Sequence, residues 1–213
     1  MKPWSVIFDI DGVIVDSEQL HFEVLKNLQP EATYGITPEE LIGLSLEETL
    51  LHIGIGSAQH AEITRQIIDA YKAELGARYL RPGISALIQH LVSNQISFGF
   101  VSTAPRDICL ANIATLGLTQ TYPLISGDDM ERTKPYPDPY LAMLQRLGAS
   151  PEQTLVIEDT DIGIQSAISA GIRQVYAWPH ALSGMEHYTR AYQVIRNLNE
   201  IDILEDLLVC RVS

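Results

Sequence analysis

The chain has 213 residues, 46% hydrophobic and 19% charged, which is enough apolar material for one full domain plus a small second one and too much for a disordered chain. Its 27 acidic residues against 14 Lys and Arg give a formal net charge of −13, which argues against nucleic-acid or anionic-membrane binding, since both need a basic surface. An anionic small molecule stays open as a substrate if a metal or a helix N-terminus supplies local positive charge.

Cys109 and Cys210 are too few and too irregularly spaced for a disulfide framework or a zinc site, and both read as unpaired thiols of a reducing compartment. No apolar run approaches the roughly 20 residues of a membrane helix, and strand-like sequence begins within a few residues of Met1, so no signal peptide is expected. The expectation is a cytoplasmic protein.

Val6-Ile7-Phe8 reads as a buried strand that runs into Asp9-Ile10-Asp11-Gly12. Residues two apart on an extended segment share a face, so Asp9 and Asp11 can converge on one centre if Gly12 turns the chain. Two neighbouring carboxylates call for a divalent cation, a shared proton or a cationic side chain, and one can serve as nucleophile while the other is an acid/base. A short polar turn is the alternative reading of the same residues.

Asp16 or Ser17 can cap a helix with Leu20, Val24, Leu25 and Leu28 on one face, ending before Pro30. A second helical piece starts near Pro38, and Ser45 with Glu48 forms a capping-box pattern ahead of Leu50, Leu51 and Ile53. A third helix spans about Ser57 to Leu75, burying Ile63, Ile67, Ala70 and Tyr71. Arg81-Pro82-Gly83 then marks a linker or hinge.

Beyond it, helices and short apolar strands alternate. The helix carrying Ile84, Leu87, Ile88 and Leu91 precedes a strand over Ile96 to Val101. A helix from about Arg106 ends at Gly117, and Leu124-Ile125 is a short strand. A helix from about Asp138 to Leu147 leads to the strand Leu155-Val156-Ile157, followed by a helix over Asp161 to Ala170. Val175-Tyr176-Ala177 and Val194-Ile195 read as strands, and Ile201 to Leu208 as a closing helix. This alternation predicts a mostly parallel, Rossmann-like α/β sheet covered on both faces, with residues 1–17 and 81–213 as the core and 18–80 as an inserted all-helical domain. The site belongs beyond the carboxyl ends of the strands.

Three further segments reach that edge. Ser102-Thr103-Ala104-Pro105-Arg106 offers a hydroxyl and free N–H groups at a helix start, which can hold phosphate oxygens or simply cap the helix. Lys134 stands in a loop stiffened by three prolines and can neutralise a phosphate and a carboxylate together. Glu158-Asp159 ends another apolar strand, and hard oxygen ligands beside Asp9 suit Mg²⁺.

With these four segments, the sequence resembles the haloacid dehalogenase-like hydrolase superfamily, in its phosphatase and beta-phosphoglucomutase-like branch with a helical cap after the first motif. Asp9 to Ser17 is similar to the first motif, Ser102 to the second, Lys134-Pro135 to the third and Glu158-Asp159 to the fourth. The resemblance implies that Asp9 attacks phosphorus to form an aspartyl-phosphate and that Asp11 protonates the leaving alcohol and then activates water. It implies Mg²⁺ held by Asp9, the Asp11 carbonyl and Asp159 with Glu158 adjacent, and a phosphoryl group held by Ser102, Thr103 and Lys134. His21, near the cap entrance, and Arg106 are further candidate substrate contacts.

In the mutases of this branch an arginine after the cap's Gly-x-Ser turn grips a second phosphate, and here Leu46 stands in that place. Simple hydrolysis of a small phosphorylated metabolite, a sugar phosphate foremost, is therefore expected over phosphosugar mutase chemistry. A catalytically silent binding module on the same fold is the remaining alternative. The expected partner is a small-molecule phosphate ester bound to a monomeric chain, with a dimer as the alternative.

Overall fold

The computed structural model describes residues 4–41, 46–180, 187–202 and 204. Ser5–Phe8 (β1) is buried at every position, as expected of a strand with neighbours on both sides and layers on both faces. Those neighbours are Ser97–Val101 (β2) and Thr154–Glu158 (β4), both parallel to it. Leu124–Ile125 (β3), Gln174–Ala177 (β5) and Gln193–Val194 (β6) complete a six-stranded parallel sheet in the order β3-β2-β1-β4-β5-β6. The chain builds outward from β1 in one direction and from β4 in the other, so the order reverses between these two strands.

Side chains alternate across the sheet with period two. Val6, Phe8, Phe98, Phe100, Leu155 and Ile157 belong to one apolar cluster, whereas Ile7, Val101, Val156 and Val175 belong to another. The second is closed by Asp138–Leu147 (α6) and Asp161–Ser169 (α7), through Tyr140, Met143, Ile164 and Ala167. The first is shared with Ile84–Ser93 (α4) and Arg106–Ala114 (α5) and continues into the helical segment. That segment comprises Ser17–Leu28 (α1), Leu46–His52 (α2) and Ser57–Glu74 (α3), whose buried Leu20, Leu50, Ile67 and Tyr71 join the same cluster.

Local chemistry moves several boundaries. Among the described residues near Pro38, one 3-10 turn forms, Pro38–Glu40, closed by reciprocal capping between Thr37 and Glu40. The capping box read at Ser45 lies outside the described residues, as do Cys210 and most of the helix read over Ile201 to Leu208. Asp16 precedes α1 without a side-chain capping bond, and its N–H donates to the Tyr79 carbonyl at 2.8 Å.

That bond is part of a neck joining the helical segment to the sheet. Val15 bridges Leu80 in antiparallel fashion, and the Arg81 N–H donates to the Ile14 carbonyl at 3.0 Å. Arg81, in the stretch read as a linker, is 8% exposed and acts as an anchor. Its guanidinium donates to the carbonyls of Gly12 at 2.7 Å and Pro179 at 2.9 Å and lies 3.9 Å from the Trp178 ring centroid.

Ile157 is fully buried in the central β4. Ile157→Ala is expected to lower the unfolding free energy by about 3 kcal/mol in chemical denaturation, from lost burial and the cavity left behind.

Candidate active site

Register brings the site together. Phe8 pairs with both Phe100 and Ile157, so β1, β2 and β4 end at one level. Asp9, Ser102 and Glu158-Asp159 therefore emerge at the same sheet edge. The Asp9 N–H donates to the Ile157 carbonyl at 3.0 Å and the Ser102 N–H to the Ile125 carbonyl at 2.9 Å, which prolongs the ladder to these two polar positions.

Asp9, Glu158 and Asp159 form a buried carboxylate cluster whose oxygens lie within 4.8 Å of one another. Lys134 reaches in from its proline-rich loop, pairing with Asp9 and, at 2.6 Å, with Glu158. Burial alone would lower the lysine's pKa, but Asp9 and Glu158 outweigh it and hold the ammonium above its ordinary value. Burial pushes Asp9 well above the carboxylate range, with Glu158 and Asp11 adding to the rise and Lys134 opposing it. Asp159 is raised in the same way, first by burial and then by Asp9 and Glu158.

Three carboxylates around one ammonium leave negative charge uncompensated in a dry site, and this all-oxygen donor set fits a hard divalent cation. Gly12 serves the same geometry. Its φ of +77° belongs to the left-handed region, and a Cβ there would collide with the Asp159 carboxylate.

Glu158 is the most constrained member. Beyond Lys134, it accepts from the Tyr140 hydroxyl at 2.7 Å, the Asp159 N–H at 3.1 Å and the Thr160 hydroxyl at 3.2 Å. Both of its oxygens are thus engaged within the protein, and a Cβ on Gly163, at the start of α7, would meet them.

Asp11 follows Asp9 by two residues and lines the cleft. Ser102 Oγ donates to its Oδ2 at 3.0 Å and Asn112 Nδ2 to its Oδ1 at 3.2 Å, while the Ala104 N–H donates to Ser102 Oγ. Thr103 is exposed beside this turn. Arg106 is directed elsewhere: its guanidinium pairs with Asp129 at 2.8 Å, and it is not among the cleft-lining residues. His21 lines the cleft and stacks on Tyr71, with ring centroids 4.3 Å apart. Burial lowers its pKa, only partly offset by Asp11.

Sequence reasoning missed Asn112, Tyr140 and His180. His180 Nε2 lies 3.6 Å from Asp159 Oδ2, and burial lowers its pKa, which favours a neutral imidazole. Nothing in local sequence distinguishes a helix asparagine, a core tyrosine or a loop histidine, because each acquires its partner only through packing.

Between the helical segment and the sheet edge lies a cleft of about 400 Å³. Leu25, Leu41, Leu46, Ile67, Ile68 and Ile108 supply apolar walls, with Asp11, Glu18 and His21 as polar positions. Among the described residues its lining contains no Lys or Arg.

Burial, then Asp11 and Asp16, push the Glu18 carboxyl up to about 7. A carboxyl made less acidic by folding contributes stability that is complete below its unfolded pKa and is lost as pH rises through the folded one. In metal-free buffer, the melting temperature of the protein is expected to fall relative to Glu18→Gln as pH rises from about 4.5 to about 7. Parallel melting curves for the two proteins across this window would contradict it.

A family model described as haloacid dehalogenase-like hydrolase matches residues 6–177. A phosphorylated carbohydrates phosphatase of Thermotoga maritima is 28% identical over 187 residues, covering 84% of this chain and 87% of that protein. Hexitol phosphatase A of Escherichia coli is 31% identical over 179 residues, covering 80% and 81%. The solved beta-phosphoglucomutase of Clostridium difficile shares the fold with a TM-score of 0.70 at 22% identity, covering 97% of each chain. With its parallel sheet and four motif segments converging on one edge, the chain belongs to the haloacid dehalogenase-like hydrolase family, in its phosphatase and beta-phosphoglucomutase-like branch.

Proposed function

We propose that this chain, a phosphoric monoester hydrolase, is a Mg²⁺-dependent phosphatase of small phosphorylated metabolites that works through an aspartyl-phosphate on Asp9. The observation that carries the reading is the buried cluster of Asp9, Glu158 and Asp159 around Lys134, at the strand ends where the sheet order reverses. Mg²⁺ held by Asp9, Asp159 and the Asp11 main chain would offset the charge of the ester phosphate and of the attacking carboxylate.

The chain's own residues then divide the work. A carboxylate oxygen of Asp9 bonds to phosphorus as the bond to the ester oxygen breaks, and the Asp11 carboxyl gives its proton to the departing alkoxide. Water next attacks the aspartyl-phosphate, Asp11 takes one of its protons, and the bond from phosphorus to Asp9 breaks. Inorganic phosphate leaves, and Asp9 and Asp11 regain their starting states. Lys134, held between Asp9 and Glu158, balances charge on the phosphoryl oxygens, and Ser102 and Thr103 offer hydroxyl and backbone donors at the start of α5. Glu158, with both oxygens engaged, aims Lys134.

The helical segment, residues 18–80, acts as a cap that closes the cleft and excludes bulk water. The absence of Lys and Arg from the described cleft lining supports an uncharged leaving group over one that bears a second phosphate, and so hydrolysis over mutase transfer. The carbohydrate and hexitol phosphatases among the relatives support sugar or polyol phosphates as the substrate class.

Phosphate release from a panel of sugar and polyol monophosphates tests the reading. Turnover is expected with Mg²⁺, to be lost in EDTA and to drop by about 10⁴-fold or more in Asp9→Asn, a variant that keeps the side chain's shape without its nucleophile. Activity retained by Asp9→Asn in a pure preparation would overturn it.

A further inference from the structure

Asp11 is the proton carrier of the proposed reaction, and its reach to the ester oxygen depends on which way its carboxyl points. One oxygen is held by Ser102, a near neighbour at the sheet edge. The other is held by Asn112 in α5, whose side chain is wholly buried. Asn112 has a partner of its own: the Tyr71 hydroxyl, on α3 of the helical segment, donates to its Oδ1 at 2.7 Å. Tyr71 is also wholly buried, and its ring is fixed against His21.

The amide is held at both ends: its Nδ2 donates to Asp11 Oδ1, and its Oδ1 accepts from the Tyr71 phenol. Burial raises the Tyr71 pKa and keeps that phenol protonated.

We propose that Asn112, braced by Tyr71, is the positioning residue for Asp11, so that the proton carrier is aligned only while the helical segment is docked on the sheet edge. The inference rests on the reading of Asp11 as acid and base. A neutral amide is suited to the task. A lysine or arginine in its place would stabilise the carboxylate and make it a poorer proton donor, whereas an amide fixes direction with far less of that penalty. The bonds from Tyr71 to Asn112 to Asp11 also link the segment that covers the substrate to the group that must act only when the substrate is covered.

The test uses the dependence on the leaving group. 2,4-Dinitrophenolate departs without protonation, whereas phenolate needs far more help from an acid, so a misaligned Asp11 penalises phenyl phosphate selectively. Asn112→Ala is expected to lower kcat/KM for phenyl phosphate by about 30-fold and for 2,4-dinitrophenyl phosphate by less than about threefold. Tyr71→Phe, which keeps the ring on His21, should shift the same ratio in the same direction by about fivefold. If Asn112→Ala does not fold, Tyr71→Phe decides by that ratio. Equal losses on both esters would mean a merely structural role and overturn the relay while leaving the phosphatase intact. A wild-type protein with no turnover of either ester dependent on Mg²⁺ and Asp9 would overturn the phosphatase reading and the relay with it.

Discussion

The contact on which the site depends is the buried ammonium of Lys134 between Asp9 and Glu158. Two carboxylates brought this close in a dry setting repel each other, and the ammonium between them offsets that repulsion. One lysine answers for two of the three acids in the cluster. The deficit that remains is the physical basis for expecting a cation, and it explains how a chain of net charge −13 can receive an anionic ester.

Holding that lysine in place involves much of the core. Glu158 is fixed by Tyr140 of α6 and by Thr160 and the Asp159 N–H at the entrance to α7. Gly163 and Gly12 leave room where any side chain would displace the Glu158 or Asp159 carboxylate. The parallel register supplies the remainder, because β1, β2 and β4 end at the same level and present their next residues together. The geometry of the candidate site and the stability of the sheet thus rest on the same backbone ladder.

The cleft is built differently. One wall is the sheet edge with Asp11 and the other is the helical segment, and its surface is mainly aliphatic. A ligand received there would meet an aliphatic surface with a few polar positions such as Glu18 and His21 and, among the described lining residues, no Lys or Arg. Arg81 ties the neck between the two parts to the Gly12 carbonyl, directly beside the carboxylate cluster.

The parallel α/β plan and much of the candidate site were legible in the sequence. Apolar runs ending abruptly in Asp9, Ser102 and Glu158-Asp159 announce strands that deliver polar groups to one edge, because an extended run of buried residues stays inside until polar side chains end it. Lys134 was legible because prolines hold its loop out of helix. The 3-10 turn at Pro38 and the start at Asp16 without a side-chain cap were not legible, since capping competition is decided by neighbours that lie close only after folding. Tertiary structure alone decided that Arg106 turns to Asp129, that Arg81 anchors a stretch read as a linker, and that Asn112 stands between Tyr71 and Asp11. These partners lie tens of residues apart, and isolated asparagines, tyrosines and arginines carry no local pattern. Their roles follow from which helix faces the sheet edge, which depends on packing the whole apolar cluster at once.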